Sequence, residues 1–240
     1  MQRIAVVTGA AGGMGRAIVS RLIADGLHVI GLDVNETGLS QMRQDRFEAE
    51  TVDLTDAQAI ADCFGGIKDR HGGIDALVNN AGTCLMSEFP QIPAAEFEQQ
   101  MALNFSGAFH CCQEAVKLML GRDGVRKIVN ISSNGAYNFD AFDPPHYRAS
   151  KAALDTLTKD LARRYATERI AVNSIAPAMT ETPLFNVVSQ EVLDRAIAQM
   201  PHGRAMQPSE IAAWVGFLIS PAGDVSSGNV IILNQGRDVR

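Results

Sequence analysis

Short apolar runs alternate along the chain with longer segments in which apolar positions recur every three or four residues. The apolar runs, each of four to six residues, predict strands at Ile4–Val7, His28–Leu32, Ala49–Val52, Ala76–Asn79, Lys127–Ile131, Ile170–Ile175 and Val230–Leu233. The longer segments predict helices at Gly13–Asp25, Asp56–His71, Glu96–Leu120, Tyr147–Glu168 and Ser209–Leu218. Strands that are apolar throughout and separated by helices are typical of a parallel sheet with helices on both faces.

The alternation runs from end to end without a linker, an internal repeat or a low-complexity tract. Seven strands in 240 residues therefore predict an α/β fold: one doubly wound, Rossmann-like parallel sheet in a single domain that spans residues 1–240. In such sheets, ligands bind beyond the carboxyl ends of the strands, near the point where the strand order reverses. The residues that follow each strand are therefore the first candidates for a functional site.

Composition and charge narrow the class of partner. The formal net charge is -6, with 46% hydrophobic and 20% charged residues, as in an ordinary globular protein. The negative charge disfavours nucleic acid or an anionic membrane surface as a partner, and no apolar run reaches the roughly eighteen residues of a spanning helix. A first strand at Ile4 leaves no room for a signal peptide, so a cytoplasmic protein acting on a small molecule is expected.

The cysteines are Cys63, Cys84, Cys111 and Cys112. They form no C-x-x-C pair, and no histidine is spaced from them as a zinc ligand would be. We therefore expect buried thiols in a reducing compartment, and no metal site.

A glycine-rich turn follows the first strand and opens the first helix. Its sequence is Thr8-Gly9-Ala10-Ala11-Gly12-Gly13-Met14-Gly15. Glycine allows a tight turn and a close approach of backbone to a ligand, and the N–H groups at a helix start bind a pyrophosphate. This strand–turn–helix context is the one that a dinucleotide-binding turn requires, although a purely structural turn is the alternative. The candidate cofactor contacts are Gly9, Gly13, Met14 and Gly15.

Acidic residues follow the second and third strands. Asp33 lies eighteen residues after Gly15, where a carboxylate can accept both ribose hydroxyls of an adenosine and repel a 2′-phosphate. No cation follows it in the next three residues, so we predict NAD rather than NADP; an ordinary aspartate capping a turn is the alternative. Asp53 and Leu54 are candidates for adenine contact, although Asp53 could equally cap the following helix.

Chemistry-bearing side chains follow the later strands. The run Asn79-Asn80-Ala81-Gly82 can lie against a cofactor, and Ser133 can donate a hydrogen bond to a substrate oxygen. Tyr147 and Lys151 share one face of a helix, where the ammonium can favour the phenolate and lower the pKa of the phenol. Asn104 lies in an apolar helical run, where a lone amide is unfavourable unless it is hydrogen-bonded. Each feature by itself also has a purely structural explanation. The Tyr-x-x-x-Lys spacing, for example, also occurs on exposed helices.

Together these motifs resemble the classical short-chain dehydrogenase/reductase family over essentially the whole chain. The resemblance rests on the glycine turn, Asn79–Gly82, Asn104, Ser133, Tyr147-x-x-x-Lys151 and Asn173-Ser174-Ile175-Ala176-Pro177. It implies an NAD(P)-dependent alcohol–ketone oxidoreductase with the catalytic residues Asn104, Ser133, Tyr147 and Lys151. The cofactor contacts it implies include Tyr147, Lys151, Pro177, Thr180 and Thr182. It further implies a homo-oligomer, commonly a tetramer, whose long helices pair between subunits.

The chain departs from the family pattern at two places. Ser133 and Tyr147 are fourteen residues apart, where the family usually has thirteen, so the intervening loop carries one extra residue. Ser132 would be one residue further away and is the less suitable candidate. Ala178 stands where the family has glycine after Pro177, which adds a methyl group near the expected nicotinamide. Neither change removes a chemical group, so activity is expected.

The resulting hypothesis places an alcohol oxygen between Ser133 and Tyr147. Tyr147, as a phenolate with its pKa lowered by Lys151, removes the hydroxyl proton while a hydride leaves for the nicotinamide. Ser133 stabilises the developing charge on the oxygen. By resemblance, Lys151 also binds the nicotinamide ribose, and Asn104 holds a water that links Lys151 to solvent.

Two segments border the expected substrate position. Residues 178–206 are expected to form a lid, with Leu184, Phe185, Val187, Val188 and Leu193 as an apolar face; a surface helix packing on its own domain is an equal alternative. The loop before Tyr147 combines aromatic and acidic groups, which suit a neutral hydroxylated ring or polyol better than an anion. These residues are Tyr137, Phe139, Asp140, Phe142, Asp143 and His146.

We therefore predict an NAD-linked dehydrogenase of a small secondary alcohol or ketone. One alternative is an NADPH-linked reductase of 3-oxoacyl groups on an acyl carrier protein, whose acidic surface could dock on Arg122, Arg126, Lys127 and Arg148. Asp33 opposes that alternative. A second alternative is a catalytically silent dinucleotide sensor, which would need none of Ser133, Tyr147 and Lys151.

Overall fold

Seven parallel strands form one sheet in the computed structural model, which describes residues 2–139, 143–183 and 189–238. The strands are β1 (Ile4–Thr8), β2 (His28–Asp33), β3 (Phe47–Thr51), β4 (Ala76–Asn79), β5 (Arg126–Ile131), β6 (Ile170–Pro177) and β7 (Val230–Leu233). Their order is β3-β2-β1-β4-β5-β6-β7, so the order reverses between β1 and β4. The prediction of a doubly wound parallel sheet is confirmed. The seven predicted strands are all present, with ends that differ by no more than two residues.

Eight α-helices connect or flank these strands in the described ranges. They are α1 (Gly13–Ala24), α2 (Glu36–Ser40), α3 (Ala57–His71), α4 (Ala94–Met101), α5 (Ala108–Met119), α6 (Pro145–Arg164), α7 (Gln190–Ala198) and α8 (Pro208–Ile219). Local sequence explains several boundaries. The Asp56 carboxylate accepts from the N–H groups of the first turn of α3, and Gly72 ends that helix with a φ of 72°. Pro145 stands in the first turn of α6, where its missing N–H costs nothing.

The apolar faces of the helices bury the two sides of the sheet. Helices α3, α5 and α6 cover one face with residues such as Phe64, Met119 and Leu154. Helices α1 and α8 cover the other with residues such as Leu22 and Ile211. Because both faces are covered, the strands carry apolar side chains on both sides, which explains the continuous apolar runs in the sequence.

Three helical segments differ from the sequence prediction. Residues 94–119 are not one helix, because Ala102–Gly107 form a π-helical segment between α4 and α5. The short helix α2 was not predicted, since its five residues are too few to show a period. The helix α7 lies in the predicted lid, where Leu193 is buried. The other residues of the predicted apolar face, Leu184, Phe185, Val187 and Val188, lie outside the described residues.

The fold brings the carboxyl ends of β1 to β6 to one edge of the sheet, because all the strands are parallel. The loops after β1 and β4 meet there at the reversal of strand order. Within the described residues, no helix combines the length and apolar character needed to cross a membrane.

Candidate active site

A cavity of about 620 Å³ opens at this edge of the sheet, a volume in the range of small-molecule and cofactor sites. Most of the predicted cofactor contacts line it: Gly9, Gly13, Met14, Gly15, Asp33, Asp53, Leu54, Asn80, Ala81, Gly82 and Thr182. The lining residues that were not among the predicted contacts are Gly12, Val34, Val52, Thr55, Gln99, Leu103 and Pro183. Gly12, Val34, Val52, Thr55 and Pro183 are next to predicted contacts in the sequence, whereas Gln99 and Leu103 reach the cavity because the chain folds back.

The glycine turn is shaped for close packing against the loop after β4. A methyl group at Gly9 would lie 2.8 Å from the Ala81 Cα, and one at Gly15 would overlap the Gly9 carbonyl oxygen. Asn80 fastens the two loops together, because its side-chain amide donates to the Thr8 and Gly9 carbonyl oxygens at 3.0 and 3.1 Å. The N-cap residue of α1 is Gly12, which has no side chain to cap the helix, so the first N–H groups of α1 remain available to an anionic ligand.

Asp33 stands at the end of β2 on the wall of this cavity. Its carboxylate accepts from the Ala11 and Asn35 backbone N–H groups, each at 2.9 Å, which ties it to the glycine turn. No lysine or arginine is among the described lining residues. The nearby Arg16 guanidinium donates to the Ala11 and Gly38 carbonyl oxygens at 2.9 and 2.8 Å. The cavity therefore presents a carboxylate and no cation at this position.

The sequence left open whether Asp53 contacts a ligand or caps the following helix, and in the structure it bonds to the nearby Thr55. Its carboxylate accepts from the Thr55 N–H at 2.9 Å and from the Thr55 hydroxyl at 2.7 Å, and these bonds lower the pKa of Asp53. The cap of α3 is Asp56 instead. Asp53 thus shapes the turn between β3 and α3 while it also lines the cavity.

Ser133, Tyr147 and Lys151 meet at the carboxyl end of β5. Ser133 lies close enough to Tyr147 for its hydroxyl to lower the pKa of the phenol. The Lys151 Nζ donates to the Ile131 carbonyl oxygen at 2.8 Å and lies 6.0 Å from the centre of the Tyr147 ring. Ser132 is turned away from them, because its hydroxyl donates to the Asp155 carboxylate at 2.8 Å. Of the two adjacent serines, only Ser133 is therefore in position to act with Tyr147.

The pKa of Tyr147 is raised, and not lowered as the pairing with Lys151 had predicted, because burial is the largest effect. The negative charge of Asp143 raises this pKa further, and Ser133 opposes the rise. Burial lowers the pKa of Lys151 to about 8, although Asp155 opposes the effect. Desolvation penalises the charged form of both groups, so Tyr147 is a neutral phenol at neutral pH.

Asn104 lies in the π-helical segment Ala102–Gly107, a distortion that often marks functional sites. Its side chain accepts from the Thr83 N–H at 2.8 Å and donates to the Thr83 carbonyl oxygen at 2.9 Å, so the amide holds the loop after β4. A methyl group at Gly82 would lie 3.2 Å from the Asn104 Oδ1 and 3.3 Å from the Lys151 Nζ. Because Gly82 has no side chain, a space remains between these two polar groups.

A buried hydrogen-bond network around Asp155 lies next to Lys151, and it was not predicted from the sequence. The Asp155 carboxylate accepts from the hydroxyls of Ser132, Tyr137 and Ser174 at 2.8, 2.8 and 2.6 Å. Asp155 stands one helical turn after Lys151, and its charge raises the pKa of that lysine. The only signal in the sequence was the i, i+4 spacing of Lys151 and Asp155.

The segment after β6 reaches the site through its first residues. Thr182 and Pro183 line the cavity and pack against Gly13, where a methyl group would lie 2.9 Å from the Pro183 Cδ. Pro177 ends β6, and the Thr180 hydroxyl donates to the Ala178 carbonyl oxygen at 3.1 Å. Ala178 packs against the apolar core beside α1 and α8 and is not among the lining residues.

Several charged residues lie at the opposite edge of the sheet. Arg126 begins β5, where it pairs with Asp75 at 3.3 Å, and Lys127 pairs with Asp224 at 2.7 Å. Arg122 lies 4.0 Å from the same Asp75. These are three of the four cations that the sequence offered as a docking surface for an acidic carrier, and they are remote from the cavity because the strands are parallel. The fourth, Arg148, directly follows Tyr147 near the start of α6.

A cluster of two histidines and a glutamate lies near the start of β2, and the spacing of these residues along the chain did not indicate it. The ring nitrogens of His28 and His71 and a Glu48 oxygen lie within 4.8 Å of one another, close enough to share a metal ion. Glu48 is already 2.8 Å from His71 and 2.8 Å from Arg70, so protein groups balance its charge. No cysteine belongs to this cluster, and the expectation that the protein has no metal site stays a prediction.

Comparison with known proteins agrees with this geometry. A family model described as short chain dehydrogenase matches residues 3–193. The 3-oxoacyl-(acyl-carrier-protein) reductase FabG of Vibrio cholerae is 32% identical over 98% of this chain and 96% of its own. The NAD-dependent glycerol dehydrogenase of Listeria innocua is 32% identical over 99% of this chain and 94% of its own.

A solved structure extends the likeness to the whole fold. A short-chain dehydrogenase/reductase from Brucella melitensis, named glucose/ribitol dehydrogenase, is 30% identical, with a TM-score of 0.92 over 100% of both chains. The matching family model and the relatives lead to one conclusion: the chain belongs to the short-chain dehydrogenase/reductase family of oxidoreductases.

Proposed function

We propose that the protein transfers a hydride between NAD and a small secondary alcohol or its ketone. The observation that carries this proposal is the convergence of Ser133, Tyr147 and Lys151 at the same sheet edge as the cavity. The cavity fits a nicotinamide dinucleotide, since it combines a glycine turn, an uncapped helix start and a strand-end carboxylate. When bound, that cofactor accepts or supplies the hydride.

In the proposed mechanism, the protein's own groups handle the oxygen and its proton. The hydroxyls of Ser133 and Tyr147 both bind the carbonyl oxygen of a ketone, and the neutral phenol donates its proton to that oxygen. The ammonium of Lys151 favours the negative charge that forms on the phenol oxygen. Oxidation of the alcohol is the reverse, and it requires the phenolate. Because the pKa of Tyr147 is raised, we infer that oxidation speeds up with increasing pH.

The preference for NAD over NADP is supported by the wall of the cavity around Asp33. The carboxylate is held by two backbone N–H groups, and a 2′-phosphate would meet this charge without a cation among the described lining residues. A glycerol dehydrogenase named as NAD-dependent is among the relatives.

A second candidate function is the reduction of 3-oxoacyl thioesters with NADPH. The name of the Vibrio cholerae relative favours it. The carboxylate of Asp33 opposes NADPH, and Arg122, Arg126 and Lys127 lie at the wrong edge of the sheet to present a carrier to the cavity. Turnover of acetoacetyl thioesters with NADPH, faster than that of any secondary alcohol with NAD, would favour this second function.

The remaining proposals concern the setting and assembly of the protein. The thiols of Cys63, Cys84, Cys111 and Cys112 are free, which supports a reducing, cytoplasmic setting. Exposed aromatic side chains on α4 and α8 support the homo-oligomer, a tetramer, that the family resemblance implies; they are Phe97, Trp214 and Phe217. The mass of the protein in solution by light scattering tests that state. Residues 178–206 are proposed to form the lid.

The experiment that tests the proposed function is turnover of a panel of secondary alcohols, sugar alcohols and cyclic diols with NAD. Tyr147→Phe should reduce kcat by at least about 100-fold, because the proton donor is lost, while calorimetric titration shows nearly unchanged NAD affinity. Wild-type kcat in that variant would contradict the mechanism. Tight NAD binding without turnover of any alcohol would instead favour a dinucleotide sensor.

A further inference from the structure

Asp143 places a carboxylate beside the reacting groups, on the loop that is one residue longer than in the family. It lies between Asn138 and the start of α6, four residues before Tyr147. A methyl group at Gly135 would overlap the Asp143 Oδ2 and would lie 3.2 Å from the Ser133 Oγ. The carboxylate and the Ser133 hydroxyl therefore border the same small space, which exists because residue 135 is glycine.

The effect of Asp143 on its neighbours gives independent evidence for this position. Its negative charge raises the pKa of Tyr147, second only to burial. It acts in the same way on Cys84, whose pKa burial and this charge together raise to about 12. Tyr147 lies in the first turn of α6, and Cys84 lies in the loop after β4. Asp143 therefore acts on two separate parts of the chain that border the reacting groups.

Among the described residues, no donor satisfies this carboxylate. The nearest cations are Arg148 and Arg237, and both act on it only through their charge. Arg148 donates to backbone oxygens, at 2.8 Å to Asp143 itself and at 2.8 Å to Asn138, and Arg237 donates to Gln199 at 2.7 Å. Burial raises the pKa of Asp143, as expected for a carboxyl group without donors. A half-buried carboxylate without donors costs free energy that a ligand donor would recover.

We propose that Asp143 binds a second hydroxyl group of the substrate, on the carbon next to the reacting carbinol, so that the enzyme acts on vicinal diols and polyols. This inference rests on the proposed function, because it places the reacting oxygen between Ser133 and Tyr147. A hydroxyl on the neighbouring carbon then comes within reach of the space that Asp143 borders. A hydroxyl donating to a carboxylate forms a charge-assisted hydrogen bond, which is stronger than a bond between neutral groups.

The same feature separates the two candidate functions. The keto group of a 3-oxoacyl thioester is flanked by carbon atoms that bear no hydrogen-bond donor. Such a substrate would leave the Asp143 carboxylate unsatisfied in a closed site, and a substrate carboxylate would be repelled by it. Asp143 thus favours neutral hydroxylated substrates over both thioesters and acids.

The test compares two alcohols that differ by one hydroxyl group, butane-2,3-diol and butan-2-ol, with NAD. The wild type should prefer the diol in kcat/KM, and Asp143→Asn and Asp143→Ala should lower the ratio of kcat/KM for the diol to kcat/KM for butan-2-ol roughly 10- to 100-fold at every pH. Both variants also remove a charge that opposes the Tyr147 phenolate, so the pH at which oxidation becomes fast should move downwards.

A structural variant of the same loop is the matched control. Asp238 holds the loop through the amides of Asn134 and Asn138, at 2.9 and 3.0 Å. Asp238→Asn should therefore affect both alcohols equally. Equal loss for both alcohols in the Asp143 variants, or no preference of the wild type for the diol, would overturn this inference while leaving the proposed function intact. No turnover of either alcohol by the wild type would contradict both.

Discussion

Replacement of Lys151 by methionine is expected to stabilise the folded protein at neutral pH while abolishing turnover. Lys151 is 5% exposed, and burial lowers its pKa from 10.5 to about 8. Since one pKa unit corresponds to about 1.4 kcal/mol, the buried ammonium costs about 3 kcal/mol at neutral pH relative to the unfolded chain. Methionine has a similar length and no charge, so it removes this cost.

The variant also loses a favourable contact, which sets the net effect. The hydrogen bond from the Lys151 Nζ to the Ile131 carbonyl oxygen disappears, at a cost of about 1 to 2 kcal/mol. We therefore expect a net gain of about 1 to 2 kcal/mol in the free energy of unfolding at pH near 7. This lost bond does not titrate, so the pH dependence isolates the charge.

The sign of that dependence follows from the two pKa values. Below about 8, Lys151 is charged in both states, and the folded state bears the full cost. Between about 8 and 10.5, the unfolded chain binds more protons than the folded protein, so the stability of the wild type rises with pH. The advantage of Lys151→Met should therefore shrink by about 2 kcal/mol between pH of about 7 and 10.

Urea denaturation followed by circular dichroism measures this difference at the two pH values and at one protein concentration. Lys159, exposed on the same helix, offers the matched control, because Lys159→Met removes a charge that remains in water. A constant difference between wild type and Lys151→Met across this range would refute the reasoning. It would mean that the ammonium is not desolvated in the folded protein.

Two further predictions concern the cofactor wall. Asp33→Ala should weaken NAD binding roughly 10- to 100-fold and narrow the difference between NAD and NADP in calorimetric titrations; an unchanged ratio would contradict the role of this carboxylate. Gly15→Ala should weaken NAD binding and lower Tm, because the added methyl overlaps the Gly9 carbonyl oxygen, whereas Gly12→Ala, with its methyl at 3.3 Å from that oxygen, should be milder in both measurements. Equal effects of the two alanines would argue against the steric explanation.

The strands were predictable because burial on both faces leaves an unmistakable run of apolar residues. The run at Ala76–Asn79 is found unchanged, and β6 extends the predicted run to Pro177. The division of the long helical stretch at Ala102–Gly107 was not predictable. Within this π-helical turn the Asn104 amide bonds to Thr83, a contact between residues distant in sequence that local spacing does not record. The single domain over residues 1–240 stays a prediction.

The pKa values and charge effects that depend on residues distant in sequence were also not predictable. The sequence places Lys151 one turn after Tyr147, but the burial that raises one pKa and lowers the other comes from elements packed around them. The charge of Asp143 on Tyr147 depends on how the loop folds back over Gly135. Cations adjacent in sequence, such as Arg126 and Lys127, proved irrelevant to the cavity because strand direction places them at the far edge.

The sequence by itself determined the sheet, the glycine turn and the identity of the groups that meet at the cavity, because each is encoded in a local pattern of apolar or conformationally special residues. Only the tertiary structure decided the protonation of Tyr147, the exclusion of Ser132 and the position of Asp143 beside Ser133. These depend on desolvation and on charges brought together through space, and neither quantity is recorded in the spacing of residues along the chain.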